Sequence, residues 1–156
     1  MPKIDHRGNN VQSKHIGTGT RIWQYVVILE GAKIGHDVNI CSHCFIENDV
    51  VIGDRVTIKN GNQLWDGLRV GDDAFIGPNV TFTNDKFPRS GQHPAKFSRT
   101  IIGEGASIGG GAVVLPGIRI GKSAMIGAGS VVTSDVQDFS LVIGNPAKHQ
   151  RFIESE

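Results

Sequence analysis

Two cysteines, two tryptophans and a single tyrosine leave this 156-residue chain short of three common devices. Cys41 and Cys44 are too few for a disulfide framework and suit a reducing compartment. With so few rings, a net charge of +1 and both signs interspersed, there is no basic stripe and little stacking surface for nucleic acid. No run approaches the length of a membrane-spanning helix. Residues 1–10 carry a lysine, an arginine and an aspartate but no apolar core of a signal peptide. A cytoplasmic location is the expectation. The pair Cys41 and Cys44 would be a metal signal only with a second ligand pair at suitable spacing. None is evident, so no metal is expected, and Cys44 reads as a reduced core residue.

Helical periodicity is missing too, and a period of six takes its place. Aliphatic residues or phenylalanine recur at Ile16, Ile22, Ile28, Ile34, Ile40 and Ile46, and the beat runs on to Phe82. It resumes in Ile102, Ile108, Val114, Ile120, Ile126 and Val132, with small or branched residues two places earlier. Neither the 3.6 of a helix nor a simple alternating strand has this period. Glycine follows at Gly17, Gly35, Gly53 and Gly71, each 18 residues from the last, so three hexapeptides make one turn. The pattern predicts an all-β parallel solenoid of triangular section, its sixth-position side chains inside and Gly, Asn or Asp at corners needing positive φ. About six coils are expected, filling residues 11–137 of a single domain over 1–156, with a tail at 138–156.

A regular solenoid would place its next aliphatic at position 88, and the sequence delays it by fourteen residues to Ile102. Residues 84–99 are therefore read as an extruded loop, and long loops on rigid scaffolds commonly carry function. The corner it leaves from is unusual. Stacking by 18 brings together Glu47-Asn48-Asp49, Trp65-Asp66-Gly67 and Thr83-Asn84-Asp85, a column of acceptors beside a tryptophan. Lys86 and Arg89 from the loop add cations suited to phosphates. Asx residues at corners are also ordinary turn chemistry, which accounts for part of the column. In later coils the same kind of corner turns bare, at Gly109-Gly110-Gly111 and Gly127-Ala128-Gly129. Backbone exposed there could pair with a long, thin ligand.

The hexapeptide register, the loop, the run IGGGAVVLPGIRIGKSAMIGAGSVV and the exit GNPAK resemble the left-handed β-helix acyltransferases. That resemblance covers about residues 11–150 and implies the left-handed coiling, an acyl-CoA, and homotrimers with active sites between subunits. The stretches IWQYVVILEGAKIG, CSHCFIENDVVIGDRVTIKNG, LWDG and FIGPNVTFTNDKFPRS are most similar to N-acetyltransferases acting on nucleotide-linked 3-amino-3,6-dideoxyhexoses. These make sugars for surface polysaccharide such as O-antigen or S-layer glycan. Bifunctional relatives fuse a ketoisomerase, for which a chain ending at Glu156 has no room, so a stand-alone acetyltransferase is expected. The resemblance implies direct transfer from acetyl-CoA to the C3 amine of a dTDP-linked sugar. Asn84 and Asp85 orient the amine, and a backbone N–H near Gly109 to Gly111 stabilises the oxyanion. Glu47, Asn48, Trp65, Asp66, Lys86, Phe87 and Arg89 are the expected substrate contacts. Phe87 is the first choice for stacking the base, before Trp65 and Trp23. Gly109, Gly110, Gly111, Gly127, Ala128, Gly129 and Lys148 are the expected coenzyme contacts, with Lys122 and Arg119 as weaker cations.

Two other readings remain open. Related O-acetyltransferases use a loop histidine as base, and His93 is the position that could take that part on a hydroxyl acceptor. The carbonic anhydrases that share the solenoid bind zinc through three histidines. Here His36 and His43 fall on different corners. His36 reads as structural, and His43 is a further candidate for ligand contact.

Overall fold

The computed structural model describes residues 1–5 and 7–153, so the last three residues of the expected tail, 154–156, lie outside it. Every regular element is a strand, and no helix is long and apolar enough to cross a membrane among the described residues. The two-residue strands form three parallel sheets that wrap one prism, a left-handed β-helix. Sheet A stacks Lys3–Ile4, Arg21–Ile22, Asn39–Ile40, Thr57–Ile58, Phe75–Ile76, Ser107–Ile108 and Met125–Ile126, then ends in Ser140–Gly144 and Ala147–Phe152. Sheet B runs from Asn10–Val11 through Phe45–Ile46, Gln63–Leu64 and Thr81–Phe82 to Val131–Val132. Sheet C runs from His15–Ile16 through Lys33–Ile34, Val51–Ile52, Arg69–Val70 and Ile101–Ile102 to Arg119–Ile120.

From Arg21–Ile22 to Val131–Val132 every strand hides its second residue and turns its first outward, so Ile28, Ile46, Ile58, Leu64 and Ile108 are fully buried. The residue two places before each fills the remaining space, as Val26, Cys44, Val80 and Ala112 do. Asn62 stands in that column without penalty. Its amide donates to the carbonyls of Lys59 (2.6 Å) and Gly77 (2.9 Å), and its oxygen accepts from Val80 N–H (3.1 Å). Coils are joined by backbone bonds such as Gly53 N–H to the Val70 carbonyl (2.8 Å).

Two features depart from the expectation. Six coils were anticipated, yet the parallel strands number eight on sheet A, seven on sheet B and six on sheet C. The extra turns break the rhythm. Val11 comes seven residues after Ile4, and Val142 pairs with Ile126 only 16 residues away, so a strict six misses both ends. The repeating glycines also serve another purpose than positive φ. A Cβ on Gly35 would lie 2.6 Å from the Gly53 carbonyl carbon, and one on Gly103 would lie 2.6 Å from that of Gly121. These glycines let coils stack closely, and positive φ falls two places later, on Asp37, Arg55, Asp73 and Ser123.

The loop is inserted at one corner without disturbing the stack, since Phe82 pairs with Val114 and Val70 with Ile102. Ser98 N–H closes its base on the Asn84 carbonyl (3.1 Å), and Gln92 N–H turns its tip on the Arg89 carbonyl (3.1 Å).

Candidate active site

The loop occupies a single corner and the strands after it keep the A, B, C order, so the two expected half-sites lie on different corners: the acceptor residues follow strands of sheet B and the glycine runs follow strands of sheet A. Glu47 to Asp49, Trp65 to Gly67 and Thr83 to Asp85 form the corner between sheets B and C. The glycine runs 109–111 and 127–129 follow sheet A and form the corner between A and B. They are neighbouring edges separated by the width of sheet B, not one continuous column.

At the carboxylate corner much of the acceptor capacity is already used by backbone. Asn48 Oδ1 accepts from Gly31 N–H (3.0 Å), Asp66 Oδ1 from Asp49 N–H (2.6 Å), and Glu47 Oε2 from Asp66 N–H (2.6 Å). Burial, with the nearby Asp66 charge, raises the Glu47 carboxyl above its ordinary value. Asp49 is held by an ion pair with Arg69. Asn48, Asp66 and Glu47 thus tie successive coils together. Asn84 differs. Its amide donates to the Asp66 carbonyl (3.2 Å), while its side-chain oxygen accepts nothing among the described residues. Trp65 packs on Phe45, ring centroids 5.6 Å apart, and its ring N–H has no partner among the described residues.

Loop residues close over the next coil. Asp85 Oδ1 caps Phe87 N–H (2.9 Å), and Lys86 reaches over Gly117. Asp85, Lys86, Thr83, Leu115, Gly117 and Thr133 enclose a groove of about 480 Å³. Sequence reasoning missed Leu115, Pro116 and Gly117; adding 32 rather than 18 to Asn84, the spacing across the insertion, would have found Pro116. Arg89 sits at the loop tip, its guanidinium bonded among the described residues only to the Pro88 carbonyl (2.8 Å), and Phe87 is 82% exposed. His93 is exposed, with no hydrogen-bond partner among the described residues. Trp23 belongs to sheet A, where its ring N–H donates to Asn39 (2.9 Å), so it does not join Trp65 and Phe87.

The glycine corner exposes backbone. Gly111 and Gly129 have φ near +69° and +68°, and a Cβ on either would meet nothing within 4 Å. The N–H groups of Gly110 and Ala128 donate to nothing among the described residues. At the corner between C and A the equivalent donors are capped, as in His36 N–H to Asp54 (2.8 Å) and Lys122 N–H to Asp138 (2.8 Å). Gly127 is followed downwards by Ile143, which pairs with Lys148, so Lys148 continues the glycine edge. There Lys148, His149, Phe152, Asp135 and Gln137 line a groove of about 520 Å³. Lys122 is instead engaged by Glu104 (3.2 Å). No three His, Cys, Asp or Glu side chains are placed to hold a metal among the described residues.

The sequence matches the bacterial transferase hexapeptide (six repeats) family at residues 13–48, 49–84 and 99–134. The chain belongs to that family. Among curated hexapeptide transferases it is 53% identical over 148 residues to dTDP-3-amino-3,6-dideoxy-alpha-D-galactopyranose 3-N-acetyltransferase of Aneurinibacillus thermoaerophilus, covering 95% of this chain and 77% of the relative. Nodulation protein L of Rhizobium meliloti is 37% identical over 118 residues, covering 73% and 59%. The fold is that of a variant of AntD, an N-acyltransferase from Bacillus cereus solved with dTDP-4-amino-4,6-dideoxyglucose and coenzyme A. The TM-score is 0.71 at 19% identity, with 99% of this chain and 84% of that one covered.

Proposed function

We propose that the chain is an acetyl-CoA-dependent N-acetyltransferase acting on the C3 amino group of a dTDP-linked 3-amino-3,6-dideoxyhexose, a cytoplasmic step towards surface polysaccharide. The observation that carries this reading is the 53% identity, over nearly the whole chain, to a relative named for that reaction.

The geometry adds a requirement. Direct transfer needs the amine and the thioester carbonyl within about 3–3.5 Å of each other. One chain holds the amine corner and the glycine corner on opposite edges of sheet B. Three copies placed with sheet B facing a common three-fold axis bring the glycine corner of one against the amine corner and loop of the next. The outer face of sheet B suits this place. In its outward register Val27, Phe45, Val113 and Val131 are half-buried beside the exposed Gln63 and Thr81, whereas the register on sheet C carries the charged or polar His15, Lys33, Arg69 and Arg119 beside Val51 and Ile101. Apolar surface of that kind favours association.

In the assembled site the free Asn84 side-chain oxygen accepts a hydrogen bond from the substrate amine and points its lone pair at the thioester carbonyl. Asp85, Trp65 and Asp66 bound the hexose, and Lys86 with Arg89 offers charge to the diphosphate. The Gly110 N–H donates to the oxygen on which negative charge develops, and the bare edge down to Gly129 and Lys148 accommodates the coenzyme arm. An N–C bond forms, the C–S bond breaks, and the departing thiolate takes the amine proton. An amine near its own pKa is already partly neutral, so positioning supplies the rate and no strong base is required.

Thiol release from acetyl-CoA, with the dTDP-linked 3-amino sugar set against its 3-hydroxy counterpart, tests the reading. The amino sugar is expected to turn over. Asn84→Ala should lower kcat/KM on the order of 100-fold, the scale of a lost positioning contact, while His93→Ala retains most activity. Turnover of the hydroxy sugar that vanishes in His93→Ala would replace this reading with O-acetylation.

A further inference from the structure

The edge that carries the bare glycines does not stay bare towards the N-terminal end. Moving up from Gly110-Gly111, its rungs are Pro78-Asn79, Asn60-Gly61, Ser42-His43 and Gln24-Tyr25. The second residue of each rung has positive φ: 69° at Gly111, 53° at Asn79, 76° at Gly61, 62° at His43 and 58° at Tyr25. Glycine meets that demand at no steric cost, and a bulky ring there is uncommon and strained. The sequence nevertheless places rings at both upper rungs. They stack on one another, with centroids 5.0 Å apart and a 31° tilt. Tyr25 is 56% exposed, and His43 is exposed beneath it. Neither the Tyr25 hydroxyl nor the His43 ring nitrogens make a hydrogen bond among the described residues. One side of the tyrosine is fixed by the chain itself: a Cβ on Gly8 would lie 2.4 Å from Tyr25 Cδ1.

We infer that the Tyr25–His43 pair is the stacking platform for the pyrimidine base of the nucleotide sugar, presented to the substrate by the subunit that also supplies the glycine edge. The inference rests on the nucleotide-sugar function proposed above. Direction along the prism decides it. Coenzyme leaves the reacting centre downwards, over Gly129 towards Lys148, so the nucleotide has to leave upwards. His43 and Tyr25 stand two and three rungs above Asn79, about 10–14 Å at a spacing of about 4.8 Å per coil. That is the reach of a diphosphate and a ribose. Asn60, Ser42 and Gln24 line the route with hydrogen-bonding groups, Ser42 and Gln24 themselves 3.4 Å apart. Stacking between a base and an aromatic side chain is tolerant of base identity, so the pair contributes affinity, and discrimination is left to groups on the facing subunit.

The test is calorimetric binding of dTDP to the assembled enzyme, together with steady-state kinetics, for wild type, Tyr25→Leu and His43→Leu, with assembly followed by sedimentation. Leucine keeps apolar bulk and removes the ring. The expected result is a dTDP Kd and a nucleotide-sugar KM raised about 5- to 100-fold, with the acetyl-CoA KM and the assembly unchanged. Variants that bind dTDP as wild type does, in an enzyme that still acetylates the amino sugar, overturn the ring assignment and leave the function standing. Loss of assembly in both variants also overturns it, because the rings would then be packing between subunits. Wild type that neither binds dTDP nor turns over the amino sugar refutes the functional reading itself.

Discussion

Cys44 illustrates how a single position is governed by its place in the repeat. It lies two residues before Ile46, in the inward column where Val26 stands above it and Asn62 below, and it is 2% exposed. Its thiol lies 3.3 Å from the Lys59 carbonyl oxygen, and burial pushes its pKa up to about 11. At pH 8 only on the order of one thiol in a thousand is then ionised, and the thiolate is the reactive form. Iodoacetamide is therefore expected to alkylate Cys41 in the native protein and to reach Cys44 only after denaturation, as mass spectrometry of the labelled peptides would read. Equal native labelling would mean that this part of the core opens readily. Asn84 carries the corresponding lesson for the site. Its residue type is shared with Asn48, but Asn48 spends its oxygen on Gly31 N–H and Asn84 does not.

Among elements, the glycine edge separates two uses of one residue type. Gly109 is required by stacking, since a Cβ would lie 2.4 Å from Ala128 N in the coil below. Gly111 faces open space and needs only its positive φ. Gly109→Ala should lower stability in urea by about 1–3 kcal/mol, the usual effect of overpacking. Gly111→Ala should cost about 1–2 kcal/mol for its left-handed backbone and, in addition, raise the acetyl-CoA KM by placing a methyl in the groove. Wild-type stability in Gly109→Ala would remove the stacking argument. An unchanged KM in a folded Gly111→Ala enzyme would remove the coenzyme from this edge. The loop is the other decisive element. Its position and length were legible because it interrupts a strict period, whereas the reach of Lys86 over Gly117 was not, since those residues meet only after the chain has completed another turn.

For the molecule as a whole, the separation of the two half-sites makes activity depend on assembly. Val113→Glu places a charge on the outer face of sheet B, at the outward position of the strand Val113–Val114 and outside the groove beneath the loop. The expected result is a folded single chain of 16.8 kDa by sedimentation, where wild type runs at three times that mass, with transfer activity abolished. An active single chain would show that one copy can close the site by itself. By itself the sequence determined the solenoid, its inward columns and the inserted loop, because a rigid repeat leaves each of these as a periodic mark or a break in one. Only the tertiary structure decided where the coils begin and end, because the first and last turns close with spacings other than six and are held by strand pairing to their neighbours. It also decided which edge the glycines occupy, because only strand pairing shows that the loop takes up a single corner and that Ile108 and Ile126 continue sheet A. The free oxygen of Asn84 and the uncapped N–H of Gly110 likewise emerge only when the coils are stacked, since each depends on which partner the adjoining coil supplies or withholds.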